Sequence, residues 1–301
     1  MKNTILATML VLATTAASAQ VTVYGRLSEF VDSTKTDTTT VKSLVNDSSR
    51  IGIRAQENLG KGLTARVVVE TSIAADDPKT GTATQLGDRQ STVGLASRFG
   101  SVDLGRKEHS EYITMKTADP FGGGNYATIA SDIINDRSKR IGDGAYLATN
   151  VGPVKVAYDR SFYTNPATVE ATSWSLSGKL GPVTAAVARF ASGTDHTSLI
   201  TVSGKVAGVE LSTIQSEDKT GTVETKGQLY GVTAPLNKTV SVKGSYGIKT
   251  GLAAGDVKAY NLGVAYAFSK RTNASVAYRT VDAGGTAKDV KQVGLGLTHN
   301  F

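Results

Sequence analysis

The feature that most constrains this chain is an alternation of apolar with small, polar or charged residues, at a period of two. It recurs in short segments along almost the whole length. Leu63, Ala65, Val67 and Val69 alternate with Thr64, Arg66, Val68 and Glu70. Ile51, Ile53 and Ala55 alternate with Arg50, Gly52, Arg54 and Gln56, and Leu262, Val264, Tyr266 and Phe268 with Asn261, Gly263, Ala265 and Ala267. Successive side chains of a strand point to opposite faces, so each such segment reads as a β-strand with one apolar face. Beyond the N-terminal segment no eighteen consecutive apolar residues occur, so no membrane-spanning helix is expected. Period alone does not say which face is outside. A water-soluble barrel turns the apolar face in, and a membrane barrel turns it out.

Two features favour the membrane. Aromatic residues fall near strand ends: Tyr24, Phe99, Phe190, Tyr246, Tyr260, Phe268 and Phe301. That placement suits interfacial girdles, where an amphipathic ring lies between hydrocarbon and water. The non-apolar face carries long cations at mid-strand, among them Arg50, Arg54, Arg66, Lys155, Lys243 and Arg279. These are costly against lipid and well placed against water.

Sixteen strands are predicted, at 20–31, 48–56, 63–73, 89–98, 101–109, 140–149, 153–162, 170–180, 182–191, 196–206, 208–216, 225–235, 238–249, 257–269, 272–282 and 288–301. Alternation is weakest over 196–216. An even number puts both termini on one rim and lets the first and last strands pair, which removes the sheet edges. Connections such as Phe99-Gly100, Val151-Gly152 and Lys270-Arg271 are tight. Those at 32–47, 74–88, 217–224, 251–256 and 283–287 are predicted to be longer and polar. Short turns on one rim and long loops on the other are the asymmetry of an outer-membrane barrel.

The first nineteen residues read as a targeting segment. Lys2 supplies positive charge, residues 5–13 an apolar run too short to span a bilayer, and Ala17-Ser18-Ala19 a cleavage site. The expected organisation is therefore a signal peptide over 1–19 and one barrel domain over 20–301. Removing 19 of 301 residues leaves 282 and lowers the formal charge from +7 to +6. With no cysteine there is no disulfide framework, and the sheet itself must hold the exported chain together.

One connection breaks the rhythm. Between His109 and Arg140 alternation stops for roughly thirty residues, far beyond the usual connection length, and such loops tend to be functional. It holds a Gly-rich bend at Phe121-Gly122-Gly123-Gly124 and a helical phrase over 126–135, with Asn125 as its expected N-cap. It carries the acids Glu108, Glu111, Asp119, Asp132 and Asp136 and ends in Arg137, Lys139 and Arg140. An exposed insertion is the alternative to a loop folded into the lumen.

The phrases Ser49-Arg50-Ile51-Gly52-Ile53-Arg54, Glu57-Asn58-Leu59-Gly60-Lys61-Gly62-Leu63, Arg89-Gln90-Ser91-Thr92-Val93-Gly94-Leu95 and Phe99-Gly100-Ser101-Val102-Asp103-Leu104-Gly105-Arg106 resemble the strands of general diffusion porins of the neisserial type. So do the start Val23-Tyr24-Gly25 and the closing strand ending in Phe301. The resemblance implies an all-β, sixteen-stranded antiparallel transmembrane β-barrel in the outer membrane of a Gram-negative bacterium. It also implies a homotrimer, a third external loop folded into the lumen, and an Arg at the start of the strand after that loop, here Arg140. Asp143-Gly144 replaces the family's Asn-Ser, and Leu147 stands where its Tyr falls.

The constriction is expected to comprise Arg50, Arg54, Arg66, Arg106 and Arg140 facing Glu111, Asp119, Asp132 and Asp136. Parity alone puts Arg106 with Leu104 on the apolar face; only a bulge, as the resemblance suggests, would turn it inward. The expected traffic is ions and small hydrophilic solutes, with a modest anion preference. A solute-specific channel for organic anions or phosphate, and an adhesin of little conductance, are the alternatives. Expected partners are outer-membrane lipid and lipopolysaccharide, and the barrel assembly machinery, met through the closing strand and Phe301.

Catalysis and cofactors are not expected. His109, beside Glu108, Ser110 and Glu111, is the one candidate catalytic histidine; rim solvation is the simpler reading for it, His196 and His299. No two histidines have metal-ligand spacing, although Asp76-Asp77 or the loop acids could meet a divalent cation. The cations have no aromatic stacking platform beside them, so nucleic acid is not an expected partner.

Overall fold

The computed structural model describes residues 19–76, 85–134, 138–162, 169–285 and 288–301. Residues 1–18 of the expected targeting segment, and Asp77, Asp136 and Arg137, lie outside the described residues. In chain order the strands are β1 (Gln20–Thr36), β2 (Thr39–Asn46), β3 (Arg50–Gly60), β4 (Leu63–Ser72), β5 (Gln90–Ser97), β6 (Gly100–Glu108), β7 (Arg140–Val151), β8 (Val154–Ser161), β9 (Ala171–Leu180), β10 (Val183–Ser192), β11 (Asp195–Val206), β12 (Val209–Thr220), β13 (Val223–Pro235), β14 (Val240–Thr250), β15 (Val257–Ala267), β16 (Thr272–Asp282) and β17 (Val290–Asn300). Two helices, α1 (Ser110–Ala118) and α2 (Ala130–Ile133), lie between β6 and β7.

Each strand pairs antiparallel with its neighbour, and β17 returns to β1 from Arg26↔Asn300 to Thr36↔Val290. Closure matters because a free edge in hydrocarbon leaves backbone groups without partners. The chain end completes the seam: Gly25 and Phe301 exchange two backbone hydrogen bonds of 3.0 Å. The Phe301 ring lies over Gly25, where a Cβ would come within 2.3 Å of it.

β2 and β3 both pair with β1, the first with Glu29–Thr36 and the second with Gln20–Arg26. They form one stave interrupted at Asp47-Ser48-Ser49, so the seventeen segments make sixteen staves. Ser48 takes a left-handed φ of 59° there. Ser49 is held by Asn46 Oδ1 at 2.9 Å, and its hydroxyl donates to Ser28 O at 3.2 Å.

The apolar row faces outward. Val23, Ile53, Val67, Val93, Leu104, Ile200, Leu262 and Leu295 are all exposed, while their sequence neighbours face in. Phe99, Tyr246, Tyr260, Phe268 and Phe301 are exposed, as girdle residues must be. Tyr24 and Phe190 depart from the girdle. Tyr24 points inward and donates to Glu70 Oε2 at 3.1 Å. Phe190 is 3% exposed and stacks on His109. Nearness to a strand end does not fix a side chain's face; its parity does.

Two connections expected to be long are tight hairpins. The 32–47 segment continues as strand to a turn at Asp37-Thr38, with Thr36 opposite Thr39. The 217–224 segment turns at Gly221-Thr222, with Thr220 opposite Val223. Asp37 and Gly221 have φ of 55° and 59°, the left-handed geometry that two-residue hairpins require. The flanking residues are mostly threonine, lysine and acids, with too few apolar residues, such as Val41 and Leu44, to mark a regular alternation, and this concealed the strands.

Candidate functional site

The chain between β6 and β7 is built from its own caps and from wall residues. α1 begins where His109 Nδ1 accepts from Tyr112 N at 3.2 Å. The wall completes the cap: Asp159 of β8 accepts from Ser110 N at 2.5 Å, and Ser173 Oγ of β9 accepts from Glu111 N at 3.0 Å. His109 is therefore a buried cap and not a rim histidine. Burial lowers its pKa to about 4, although a hydrogen bond to the Ser138 carbonyl and the charge of Glu108 oppose the shift. The helix expected over 126–135 shrinks to α2, and Ile129, not Asn125, is its N-cap. The α1 helix went unread because its apolar residues form no sustained stripe.

After α1 the chain bends at Asp119, whose buried carboxylate accepts from Gly123 N at 2.7 Å, Phe121 N at 3.2 Å and Thr128 Oγ1 at 2.7 Å. Desolvation nevertheless raises the Asp119 pKa. α1 packs against β8–β12, and α2 against β13–β15. Tyr112, Met115, Ile129, Ile133 and Ile134 meet Ala188, Leu199, Ile214 and Leu229, which belong to the inward rows of β10–β13. Further on, Tyr126 N donates to Asp47 Oδ1 at 2.7 Å, using the break between β2 and β3. The Tyr126 ring stacks on Phe30 with centroids 4.0 Å apart. Close approach needs bare backbone in places: a Cβ on Gly231 would lie 2.5 Å from Pro120 Cγ, and one on Gly227 2.5 Å from Ile133 O.

On the side left free, between this connection and β1–β7, lies a chamber of about 590 Å³. It is lined by the bases Arg26, Arg50, Arg89, Lys107, Lys116, Lys139 and Arg140, and by two carboxylates, Glu70 and Glu108. Glu70 serves two arginines, Arg89 at 2.7 Å and Arg50 at 3.5 Å. Glu108 likewise serves Arg140, at 3.1 Å, and Lys116. Arg26 and Lys107 are each paired with a carboxylate behind the lining, Asp47 and Asp103, at 2.5 Å; seven bases against these four acids still leave the chamber positive.

The expected residues divide among several places. Arg50 and Arg140 line the chamber. Arg54 and Arg66 lie on the same face nearer the short turns: Arg54 sits 4.9 Å over the Tyr24 ring, and Arg66 Nε donates to Asp103 Oδ1 at 2.7 Å. Arg106 does not join them. A bulge does occur between Gly105 and Lys107, but Arg106 keeps Leu104's side, with Nε on Asp88 O at 2.8 Å, and Lys107 enters the chamber instead. The Tyr146 hydroxyl braces that bulge, accepting from Lys107 N at 3.0 Å.

The loop acids do not stand opposite Arg50. Asp119 is an internal brace, Glu111 is buried 3.7 Å from His109 Nδ1, and Asp132 pairs with Arg279 of the far wall at 2.5 Å. Asp136 lies outside the described residues. The acids that do face the arginines are Glu70, whose inward parity was legible, and Glu108 at the mouth of the loop. Arg89 opens the strand predicted over 89–98 with the outward parity of Ser91 and Val93, yet it precedes β5 and turns into the chamber, and Lys116 lies outside the alternating segments, so parity found neither.

A closed barrel with apolar exterior and charged interior is the architecture of a family, and a Gram-negative porin model matches residues 6–301. The chain belongs to the Gram-negative porin family. Its place is the outer membrane. The major outer membrane protein P.IB of Neisseria meningitidis is 26% identical over the full length of both chains in one serogroup B sequence. In another strain the match is 36% over 117 residues, so there this porin aligns with about a third of the relative's length, 34%. Among solved structures, the anion-selective porin from Comamonas acidovorans has a TM-score of 0.76 at 23% identity, over 94% of this porin and 100% of that chain. The trimer form of OmpT, an outer membrane protein of Vibrio cholerae, has a TM-score of 0.69 at 14% identity, over 94% and 99%.

Proposed function

We propose that this porin is a water-filled channel through which small ions and hydrophilic solutes diffuse passively, with a preference for anions. The observation that carries this reading is the chamber in which seven bases face two carboxylates. The third connection, folded inward, sets the diameter. An anion passing Arg26, Arg50, Arg89 and Arg140 exchanges hydration for charge without being trapped, because Glu70 and Glu108 temper the field. The Comamonas neighbour, an anion-selective porin, is consistent with it. No chemical step belongs to this function.

The proposed assembly is a homotrimer. Small outward residues on early strands (Ala55, Ala65 and Ser91) allow close packing between barrels, and the Vibrio neighbour has a trimer form. Outer-membrane lipid and lipopolysaccharide surround the assembly in this reading. The assembly machinery engages β17, so deleting Phe301 is expected to lower membrane yield more than it alters finished pores. An adhesin is disfavoured by the two-residue hairpins at Asp37-Thr38 and Gly221-Thr222.

The test is the reversal potential of the reconstituted channel in a potassium chloride gradient. The Arg50→Ser/Arg140→Ser double variant is expected to lower the anion-to-cation permeability ratio several-fold at low salt. Each charge about 4 Å from a passing ion is worth about 1 kcal/mol in a water-like medium. The difference should vanish near 1 M salt, where screening shortens to about 3 Å. An unchanged ratio at low salt would remove these arginines from the ion path.

A further inference from the structure

The cationic chamber opens into a second one. A cavity of about 280 Å³ on the short-turn side of α1 shares Lys107, Glu108 and Ile113 with it. Its wall has a different chemistry. Ser175, Ser177, Thr184, Thr201 and Ser203 of β9–β11 line it, together with Lys155 at the start of β8. Ser175 and Thr201 are 8% and 6% exposed, yet among the described residues neither hydroxyl has a protein partner. The other three hydroxyls are likewise unpartnered. By contrast, the helix hydroxyls facing them are committed: Thr114 Oγ1 donates to Ser110 O at 2.8 Å and Thr117 Oγ1 to Ile113 O at 2.7 Å.

These hydroxyls face the aqueous cavity, so water meets them until a passing solute takes its place. Each can both donate and accept, which suits another hydroxyl better than a carboxylate, an acceptor only. Ile113, 39% exposed on α1 at the junction, adds an apolar face against which C–H groups can pass. Along the channel, then, a cluster of bases is followed by a row of free hydroxyls bordered by Lys107 and Lys155 and by two carboxylates already engaged, Glu108 with Arg140 and Asp159 with Ser110 N.

From this juxtaposition, and resting on the anion preference proposed above, we infer that the favoured solutes are polyhydroxylated monoanions of the sugar-acid class. The anionic end is held between Arg50 and Arg140 while the hydroxylated remainder exchanges hydrogen bonds with the wall of β9–β11. Neither half of such a solute is well served by only one chamber.

The experiment compares gluconate with hexanoate, a six-carbon monocarboxylate without hydroxyls, and with neutral sorbitol. Each is added to the full channel in a planar bilayer carrying potassium chloride current. Gluconate interruptions are expected to last about fivefold longer than those of hexanoate or more, as one net hydrogen bond of about 1 kcal/mol gives. In Ser175→Ala/Thr201→Val/Ser203→Ala that excess should disappear while the chloride reversal potential stays at the wild-type value. If the triple variant fails to assemble, Thr184→Val/Ser203→Ala, altered near the short-turn rim, is measured the same way. Equal residence of gluconate and hexanoate, equal residence of sorbitol and gluconate, or an undiminished excess in the variants would each overturn the inference. Failure of the underlying anion preference would appear separately, as a wild-type reversal potential showing no anion excess.

Discussion

The inner wall formed by β3–β5 and the one formed by β10–β13 have the same backbone geometry and opposite surfaces. Along β3 and β4 the inward positions hold Arg50, Arg54, Arg66 and Glu70, all in contact with the open lumen or its ion pairs. At the corresponding depth on β10–β13 they hold Ala188, Leu199, Ile214 and Leu229, each no more than 2% exposed beneath the third connection. One wall must keep water and charge, and the other must bury an apolar loop. A strand's inner row is thus set by what covers it, not by its place in a barrel. This explains why alternation fades over 196–216: Leu199-Ile200 is apolar on both faces because both faces are dry.

The largest effect should come from breaking the covered wall. Leu229→Asp puts an unpaired carboxylate at a fully buried contact, at a cost of several kcal/mol. The barrel ladder does not depend on that side chain, so the loop should release and single-channel conductance should rise. Unaltered conductance in a correctly assembled channel would show that this wall does not hold the loop.

A smaller effect is expected from His109, which stacks on Phe190 of β10 with centroids 4.5 Å apart. Its pKa is about 4 when docked and about 6.5 when free in water. Docking is therefore at full strength above pH 6.5 and weakens progressively as pH falls to 4, by about 3 kcal/mol in all. Proteolysis of the loop should accelerate across that window. His109→Asn keeps an acceptor for Tyr112 N but does not titrate, so its cleavage rate should stay flat there. A wild-type rate independent of pH between 6.5 and 4 would contradict a buried neutral imidazole.

The smallest effect probes the open wall. Glu70→Gln removes the acid shared by Arg50 and Arg89, partly buried side chains that border the aqueous chamber. Assembly should be unaffected, and the anion-to-cation permeability ratio should rise modestly in a salt-gradient measurement. A fall in the ratio would mean that Glu70 orders the arginines more than it neutralises them.

The sequence by itself determined the number of staves, their outward faces and the inward parity of Arg50, Arg54, Arg66 and Glu70. Lipid on one side and water on the other impose a period of two that survives wherever both solvents are present. It also located the exceptional connection, since thirty residues without alternation cannot be a hairpin. Only the tertiary structure decided the rest. The α1 cap draws on Asp159 and Ser173, 49 and 62 positions away. The acids facing the arginines turned out to be Glu70 and Glu108, because Asp119, Asp132 and Glu111 found partners within the loop or on the far wall. Arg106 stayed outside and Lys107 entered at a bulge whose geometry depends on Tyr146. Local pattern reports the solvent each side chain meets. It carries no record of which distant segment will replace that solvent, and in this lumen that replacement separates the apolar wall from the charged one.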